Sequence, residues 1–378
     1  MKSLGLYIHI PFCKQKCSYC DFYSKPACEN SISEYVSALC AHIEKEASQY
    51  NDYEISTIFI GGGTPSLLSE NDIDKLCKTI KKFLNVPPSV EFSIEANPGT
   101  LTKEKLESYR KNGINRLSIG LQSANESELK CLGRIHSVKE FEASFLLARR
   151  AGFDNINVDI MYSLPDQTIE KLTKTLDYVS SFEPEHISAY CLKLEKGTPL
   201  YTIEHTLNMP SEELEYQMYL HLCSYLEGKG YEQYEISNFA RQGKECRHNL
   251  IYWLSGDYVG FGPSAHSFFD SKRYFYEEDT QKYQNDALSV RKSPKKIYEE
   301  QSEIEYGSME EYTMLRLRLS KGIDLFQFKS KFGIELEEAY PRLKDFYKDS
   351  YLVKENGCVH FTQKGFFVSN FILSSILF

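Results

Sequence analysis

Three cysteines lie within eight residues near the amino terminus, in the string CKQKCSYC. Cys13, Cys17 and Cys20 directly follow a run that predicts the first strand. Thiolates at such short spacing can converge on one metal centre, and soft sulfur selects zinc or an iron–sulfur cluster. A structural zinc is normally closed by a fourth ligand, whereas the neighbouring sequence supplies only His9. The spacing therefore favours a 4Fe-4S cluster with one open iron, which an amine and a carboxylate such as those of S-adenosylmethionine could chelate; zinc is the alternative.

Predicted strands and helices, which could position these cysteines, alternate along the first half of the chain. The apolar, β-branched runs that predict strands are 4–10, 56–62, 90–96, 116–122, 156–164 and 186–194. The segments with helical periodicity are 33–49, 72–83, 103–112, 137–150 and 168–180. Continuous apolar strands between helices indicate a parallel α/β sheet, and a complete barrel needs eight units. We predict an incomplete (β/α)6 barrel, with a flat sheet as the alternative and the chemistry at the carboxyl ends of the strands.

The alternation ends after the sixth strand. A long helix is predicted over 211–229 and a strand over 231–240, and the polar stretch 271–305 is typical of a linker or exposed excursion. Short helices over 308–319, 324–332 and 335–347 precede a hairpin at Asn356-Gly357 and a last helix, in the manner of a winged-helix α+β domain. The predicted division is a core domain over 1–235, a connecting region containing HNLIYW over 236–305, and a winged-helix-like domain over 306–378.

Composition excludes several classes of protein. The 378 residues carry 44 Lys and Arg against 53 Asp and Glu, so the net charge of −9 disfavours general nucleic-acid binding. No apolar run is long enough to cross a bilayer, and the amino-terminal residues do not form a signal peptide. The 11 cysteines are an odd number, which suits a reducing compartment. We therefore expect a cytoplasmic protein.

Further strings narrow the identification. GGGTP follows the second predicted strand, and LYIHIPFC, FIGGGTPS, IEANPGT, SIGLQS, LGRIH, LPDQT and HNLIYW occur in this order. Together with CxxxCxxC they resemble the radical SAM enzymes, in the branch that contains anaerobic coproporphyrinogen oxidase and the HemW-type haem chaperones. Any single string is weak, but the ordered set is specific.

The resemblance implies a 4Fe-4S cluster on the three cysteines and a binding site for S-adenosylmethionine over it. The residues that it assigns to this site are Tyr7, Gly62, Gly63, Thr64, Glu95, Gln122, Arg134 and Asp159. Glycines without Cβ let the backbone approach a ligand, Glu95 can accept hydrogen bonds from a ribose diol, and the Arg134 fork can hold a carboxylate. Singly, such side chains are more often structural, but their placement on successive strands favours one shared site.

Two departures from the oxidase pattern distinguish this chain from the coproporphyrinogen oxidases of this branch. The oxidase pattern has a fourth cysteine two residues after the third, where this chain has Phe22, and it has an amino-terminal extension for which this sequence leaves no room. Both departures favour the chaperone over a coproporphyrinogen oxidase. In RHNLIYW, a neutral His248 could ligate haem iron, Tyr252 or Trp253 could cover the porphyrin, and Cys246 is a competing ligand. A local structural role for His248 is the alternative.

The chaperone interpretation implies haem as cargo and apo-haemoproteins, expected in the respiratory chain, as acceptors. It also implies an unidentified electron donor and transient contact with any membrane-bound acceptor. Whether the chain is catalytic is left open, although coproporphyrinogen oxidase activity is not expected. A true oxygen-independent coproporphyrinogen III oxidase is the enzymatic alternative, and a zinc-stabilised binding module is the non-catalytic one.

Replacing Cys13, Cys17 and Cys20 together by alanine should abolish an oxygen-sensitive cluster, because no other close set of thiols is present in the sequence. Iron and acid-labile sulfide content and the absorption spectrum after anaerobic reconstitution provide the measurement. Cys358→Ala serves as the control and should keep the cluster. An intact cluster spectrum in the triple variant, or stoichiometric zinc without sulfide in the wild type, would contradict the assignment.

Overall fold

The structure, a computed structural model, describes residues 1–27, 29–299 and 304–378. The predicted connecting region therefore includes residues 300–303, which lie outside the described ranges. The strands are β1 (Lys2–Ile10), β2 (Phe12–Cys13), β3 (Lys25–Pro26), β4 (Tyr53–Gly62), β5 (Glu91–Ala96), β6 (Arg116–Gln122), β7 (Ile156–Tyr162), β8 (His186–Cys191), β9 (Glu232–Glu235), β10 (Asn238–Ala240), β11 (Tyr258–Phe261), β12 (His266–Phe269), β13 (Lys272–Tyr276), β14 (Lys296–Tyr298), β15 (Ile323–Asp324), β16 (Leu352–Glu355) and β17 (Cys358–Phe361).

The α-helices of the described ranges are α1 (Glu29–Glu46), α2 (Glu70–Phe83), α3 (Lys103–Lys111), α4 (Glu126–Cys131), α5 (Val138–Arg150), α6 (Ile169–Ser180), α7 (Pro199–Thr202), α8 (Glu212–Gly228), α9 (Arg247–Trp253), α10 (Thr280–Leu288), α11 (Met309–Arg316), α12 (Leu325–Phe332), α13 (Leu336–Ala339), α14 (Leu343–Lys348), α15 (Gln363–Phe367) and α16 (Ser369–Leu377). Short 3-10 turns lie between some of them. Of the helices so described, none has both the length and the apolar character needed to cross a membrane.

Six parallel strands form the centre of the main sheet, in the order β1-β4-β5-β6-β7-β8. Each predicted strand and each of the five predicted helices is present, with ends that differ by a few residues. Two of the helices begin with capping boxes, in which Ser69 pairs with Asp72 and Ser137 with Glu140. The predicted α/β fold is therefore confirmed.

Apolar and polar residues alternate along the central strands. In β6, Leu117 and Ile119 pack into the hydrophobic core, whereas Arg116 and Ser118 lie on the other face. All four are buried. The prediction of continuously apolar strands is therefore wrong in detail, because polar groups fill the barrel interior while aliphatic groups face the helices.

Additional strands extend both sides of this centre. β11 lies parallel to β1 and is followed outward by antiparallel β12, β13 and β14, and the antiparallel pair β10 and β9 follows β8. The sheet of twelve described strands thus runs from β14 to β9 without closing on itself, as an incomplete barrel does. The segment predicted as one strand over 231–240 forms the two strands β9 and β10.

The stretch predicted as a linker is also different. Residues within 271–305 form β13, α10 and β14, so this part of the chain contributes two strands to the sheet and a helix, which a linker would not do. Edge strands carry many charged side chains, which is why this stretch resembles a linker in sequence. As a division of the chain, the three predicted domains stay a prediction.

The carboxyl-terminal part contains the predicted short helices and hairpin. Its small sheet has the order β15-β17-β16, and Asn356 and Gly357 both have positive φ (49° and 75°) in the hairpin turn. This part contacts the barrel through hydrogen bonds from the Ser320 backbone to Tyr234 O (3.0 Å) and from Arg316 Nη1 to Trp253 O (2.7 Å). The carboxyl-terminal part thus holds the end of α9 and the edge strand β9.

Gly365→Ala should destabilise the protein, because a methyl group there would lie 2.0 Å from the carbonyl oxygen of Tyr351. We expect a loss of about 1–3 kcal/mol in the free energy of unfolding, measured by urea denaturation. The matched control is Gly228→Ala at the end of α8, where no atom lies within 4 Å of the new methyl group. That change should stabilise by about 0.4–1 kcal/mol, and equal losses in both variants would refute the packing argument.

Candidate functional site

A cavity of about 410 Å³ opens at the carboxyl ends of the parallel strands. Its lining comes from the loop after β2, the turn after β4, and the last residues of β5 to β8. The sequence-predicted residues among its lining are Cys13, Cys17, Cys20, Gly62, Gly63, Thr64, Glu95, Gln122, Arg134 and Asp159. Tyr7 and His248 do not line it. The fold therefore brings together residues from the whole length of the barrel.

The cysteine loop is fixed at several points by the backbone. β2 pairs with β3, and the Ala27 backbone N–H donates to Cys13 O at 3.0 Å. At the middle of the loop, Ser18 N donates to Leu132 O (2.9 Å) and Ser18 O accepts from Leu200 N (2.8 Å). The loop is thus anchored to the segments that follow α4 and β8.

All three thiols are free and reach the same cavity. Hydrogen-bond donors face two of the sulfurs: Thr64 Oγ1 lies 3.6 Å from Cys13 Sγ, and Arg134 Nη1 lies 3.3 Å from Cys17 Sγ. Burial raises the pKa of the Cys20 thiol to about 11, so metal binding there must displace a proton. Sulfurs with donors directed at them match the ligation of iron–sulfur clusters.

The backbone segments beside the thiols approach each other closely. At Gly63, a methyl group would lie 2.7 Å from Phe12 O and 3.0 Å from Cys13 Sγ, so only glycine lets these loops approach each other. The residues present therefore fit a sulfur-ligated cluster that borders the cavity.

Arg134 is partly buried beside these thiols, with part of its hydrogen-bonding capacity unused. Its Nη2 donates to Gly120 O at 2.7 Å, whereas its Nε finds no partner among the described atoms. Buried donors are nearly always satisfied in a functional state, and a guanidinium fork pairs well with a carboxylate. Arg134 could therefore bind a ligand carboxylate in the cavity.

Two carboxyl groups form the opposite wall. Glu95 Oε2 accepts from Gly62 N at 3.1 Å, and burial, with the charge of Asp159 as a second cause, raises the pKa of Glu95 to about 8. Burial also raises the pKa of Asp159, although hydrogen bonds from Asn157, Ser188 and Ser118 oppose this. Such carboxyl groups favour a ligand that brings hydroxyl donors or positive charge, and S-adenosylmethionine has both.

Gln122 stands at an irregular position of β6. Its φ is 71°, and the register with β7 shifts between Gly120 and Gln122. A left-handed backbone at a non-glycine residue is strained and re-aims a side chain. The strained residue is Gln122 itself, and its side chain lines the cavity.

Tyr7 lies one layer beneath the cavity. Its Oη is 3.0 Å from His9 Nδ1, and its ring stacks on Phe59 at a centroid distance of 6.4 Å. A methyl group at Gly61 would lie 3.1 Å from the Tyr7 ring and 3.2 Å from Glu95 Oε2. Tyr7 therefore supports the strand ends rather than forming the cavity wall.

His248, the predicted haem ligand, is buried within the fold, away from the cavity. It is 1% exposed, its Nδ1 is 2.7 Å from Thr57 Oγ1, and its Nε2 is 2.8 Å from Tyr252 Oη. Both ring nitrogens thus have protein partners, and none is left for iron. This geometry does not support the prediction that His248 ligates haem, because the ring and Tyr252 satisfy each other inside the fold.

Several cavity residues were missed in the sequence. They include Asn97, Ser118, Met161, Tyr190 and Lys193. Ser118 and Met161 each lie an even number of positions from a predicted site residue on the same strand, so strict alternation is a signal that could have found them. The others lie in loops or on a strand without a predicted site residue.

Comparisons with known proteins show which family the chain resembles. Residues 7–179 match the family described as the Radical SAM superfamily, and residues 308–368 match the HemN C-terminal domain. A protein of Bacillus subtilis named heme chaperone HemW is 36% identical over 375 residues, which cover 98% of both chains. The Escherichia coli protein of the same name is 39% identical over 265 residues, or 70% of this chain and 69% of that one.

One solved structure is similar over nearly the whole chain. It is coproporphyrinogen III oxidase (HemN) from Escherichia coli, described as a radical SAM enzyme. The TM-score is 0.83 at 21% identity, and the match covers 99% of this chain and 90% of that one. At this identity the likeness supports the fold.

Arg134→Ala should weaken binding of S-adenosylmethionine by about 1.5–3 kcal/mol if its carboxylate is the partner of the guanidinium. Equilibrium binding to the reconstituted protein measures this. Arg150→Ala, which removes an exposed arginine from the end of α5, is the control and should bind normally. Unchanged affinity in a folded Arg134→Ala variant with normal cluster content would remove Arg134 from the site.

Proposed function

The chain belongs to the radical SAM superfamily and, within it, to the family of the HemW haem chaperones, and on this premise we propose that it binds haem and delivers it to apo-haemoproteins. Members of this superfamily bind a 4Fe-4S cluster and S-adenosylmethionine, which together supply one-electron chemistry when bound. The observation that supports this function most is the gathering of three free thiols, the incompletely paired Arg134 and two partly buried carboxyl groups around one cavity.

Each of the predicted site residues would have its own role at the cavity. Cys13, Cys17 and Cys20 hold the cluster, and Gly62, Gly63 and Thr64 allow close approach of the methionine end of S-adenosylmethionine. Arg134 binds its carboxylate, Glu95 accepts from the ribose hydroxyls, and Gln122 and Asp159 complete the wall. Tyr7 acts from below, as a support for the strand that carries Gly62.

Haem requires a surface that S-adenosylmethionine does not occupy. The outer part of the cavity lining includes Phe22 and Tyr190, which are 66% and 41% exposed, together with the exposed Lys193. Exposed aromatic faces suit a flat porphyrin, and a lysine suits its propionates. We therefore assign haem to this outer part rather than to His248.

The remaining features of the proposal concern partners. The acceptors are apo-haemoproteins, in the first place respiratory ones, with only transient contact to those bound in membranes. An electron donor of unknown identity would serve the cluster. The predicted cytoplasmic location belongs to the same proposal.

Oxygen-independent coproporphyrinogen III oxidase is the second candidate function, since the fold resembles that of HemN. Phe22 argues against it, because this side chain stands where the oxidase pattern has a fourth cysteine and it lines the cavity here. A different group at that position changes both the polarity and the shape of the cavity mouth.

Haem should bind stoichiometrically to the reconstituted wild-type protein under anaerobic conditions. Phe22→Ala should weaken that binding by about 1–2 kcal/mol, because one aromatic face is lost. Bound haem is measured after gel filtration. Phe326→Ala, which removes a ring that is 82% exposed elsewhere, should bind haem normally, and failure of the wild type to retain haem would contradict the proposed function.

The reduced protein with S-adenosylmethionine should not convert coproporphyrinogen to protoporphyrinogen. Phe22→Cys should not create this activity either, because a single thiol does not rebuild a substrate site. Product analysis by chromatography and complementation of an oxidase-deficient strain provide the measurements. Robust conversion by the wild type would establish the oxidase instead.

A further inference from the structure

The HNLIYW segment closes the end of the barrel opposite the cavity. It forms α9, whose first backbone N–H groups, those of Arg247 and His248, donate to the Glu91 carboxylate at 3.0 and 2.9 Å. Glu91 is the first residue of β5, whereas Glu95 near the other end of this strand lines the cavity. A segment at the closed end thus needs a role other than direct contact with a ligand.

A chain of hydrogen bonds runs from this segment toward the cavity. The Cys246 backbone N–H donates to Tyr234 Oη at 3.2 Å, and Tyr234 Oη lies 2.9 Å from His186 Nε2. His186 Nδ1 in turn lies 2.6 Å from Asn157 Oδ1. Tyr234 belongs to β9 and His186 to β8, so this series of hydrogen bonds links three segments that are distant in sequence.

The direction of these bonds follows from chemistry. His186 is fully buried, and burial together with Arg116 lowers its pKa well below the usual value, so the ring is neutral with one donor and one acceptor. Asn157 Oδ1 can only accept, so His186 Nδ1 must carry the proton. His186 Nε2 then accepts from the Tyr234 hydroxyl, and every member of the chain has a defined orientation.

The chain ends at the Asp159 carboxylate. Asn157 Nδ2 donates to Asp159 Oδ1 at 2.7 Å and to Ser118 Oγ at 2.8 Å, and Ser118 Oγ donates to Asp159 Oδ2 at 3.0 Å. The register places Ser118, Asn157 and His186 side by side on β6, β7 and β8. Both carboxylate oxygens are therefore held by groups that are themselves almost fully buried.

We propose that Asn157, oriented by His186 and Tyr234, is a positioning residue that fixes the Asp159 carboxylate for the ligand of the cavity, with α9 as the anchor at the far end. The inference rests on the proposed function, in which Asp159 contacts S-adenosylmethionine. An unrestrained carboxylate in this site would rotate away from the ligand or lose part of its hydrogen bonding when the ligand binds. A fixed one loses less freedom on binding.

The affinity for S-adenosylmethionine, measured by equilibrium binding to the reconstituted protein, tests this role. Asn157→Ala and Ser118→Ala should each weaken binding roughly five- to tenfold, and Tyr234→Phe about two- to threefold, in the range of coupled neighbouring residues. Ser93→Ala is the matched control. Ser93 is a fully buried serine on β5 whose hydroxyl has no hydrogen-bond partner among the described atoms, and its removal should change affinity less than about twofold.

Two further measurements separate positioning from a merely structural effect. Ser118→Thr keeps the hydroxyl and should restore binding to within about twofold of the wild type. In an Asp159→Ala background, Asn157→Ala should add almost no further loss, because the group that it positions is gone. Iron content and thermal midpoint of each variant are measured alongside.

The outcomes distinguish this inference from the proposed function. If Asp159→Ala loses affinity while Asn157→Ala binds like the wild type, the positioning role is wrong and the site stands. An equal loss from Asn157→Ala with and without Asp159 would also overturn the inference. If Asp159→Ala itself binds normally, both the inference and the assigned contact of Asp159 fall together.

Discussion

Polar groups inside a barrel must find partners, and this requirement governs the structure. Charged and polar side chains on the inner faces of the central strands lie out of contact with bulk water, where each unpaired group is costly. Arg116 lies near the Glu91 carboxylate, Asp159 is held by Asn157 and Ser118, and Glu95 accepts from a backbone N–H. The hydrophobic contribution to stability therefore comes mainly from the outer faces of these strands, where aliphatic residues meet the helices.

The sequence was sufficient to predict the features that depend on residues close together in the chain. The six strands, the helices between them and the loop with Cys13, Cys17 and Cys20 follow from periodicity and short spacing, and the resemblance supplied most of the cavity. His248 could not be placed in this way, because its ring nitrogens are occupied by Tyr252 and by Thr57, 191 residues earlier. Tyr190 gave no signal, since a tyrosine on a strand is most often a core residue. The charged stretch after residue 271 was wrongly predicted as a linker, because an edge strand and a linker have similar compositions.

The two ends of the barrel have different properties. At the carboxyl ends of the strands, polar side chains and thiols surround an open cavity, whereas the other end is covered by α9, whose backbone N–H groups donate hydrogen bonds to Glu91. The carboxyl-terminal part reinforces this cover, since Arg316 donates to the carbonyl groups of Trp253 and Leu254. A change in this distant part can thus reach the barrel interior through α9 without any contact with a ligand.

The position of β1 in the middle of the sheet has a consequence for biosynthesis. One neighbour of β1 is β4, but the other is β11, where Gly5 pairs with Tyr258. At ordinary rates of translation, roughly 10–50 s separate the emergence of these two partners from the ribosome. During this interval one edge of β1 has no partner, and unpaired apolar strands are prone to aggregate. The sheet around β1 can therefore be completed only after about two thirds of the chain has been synthesised.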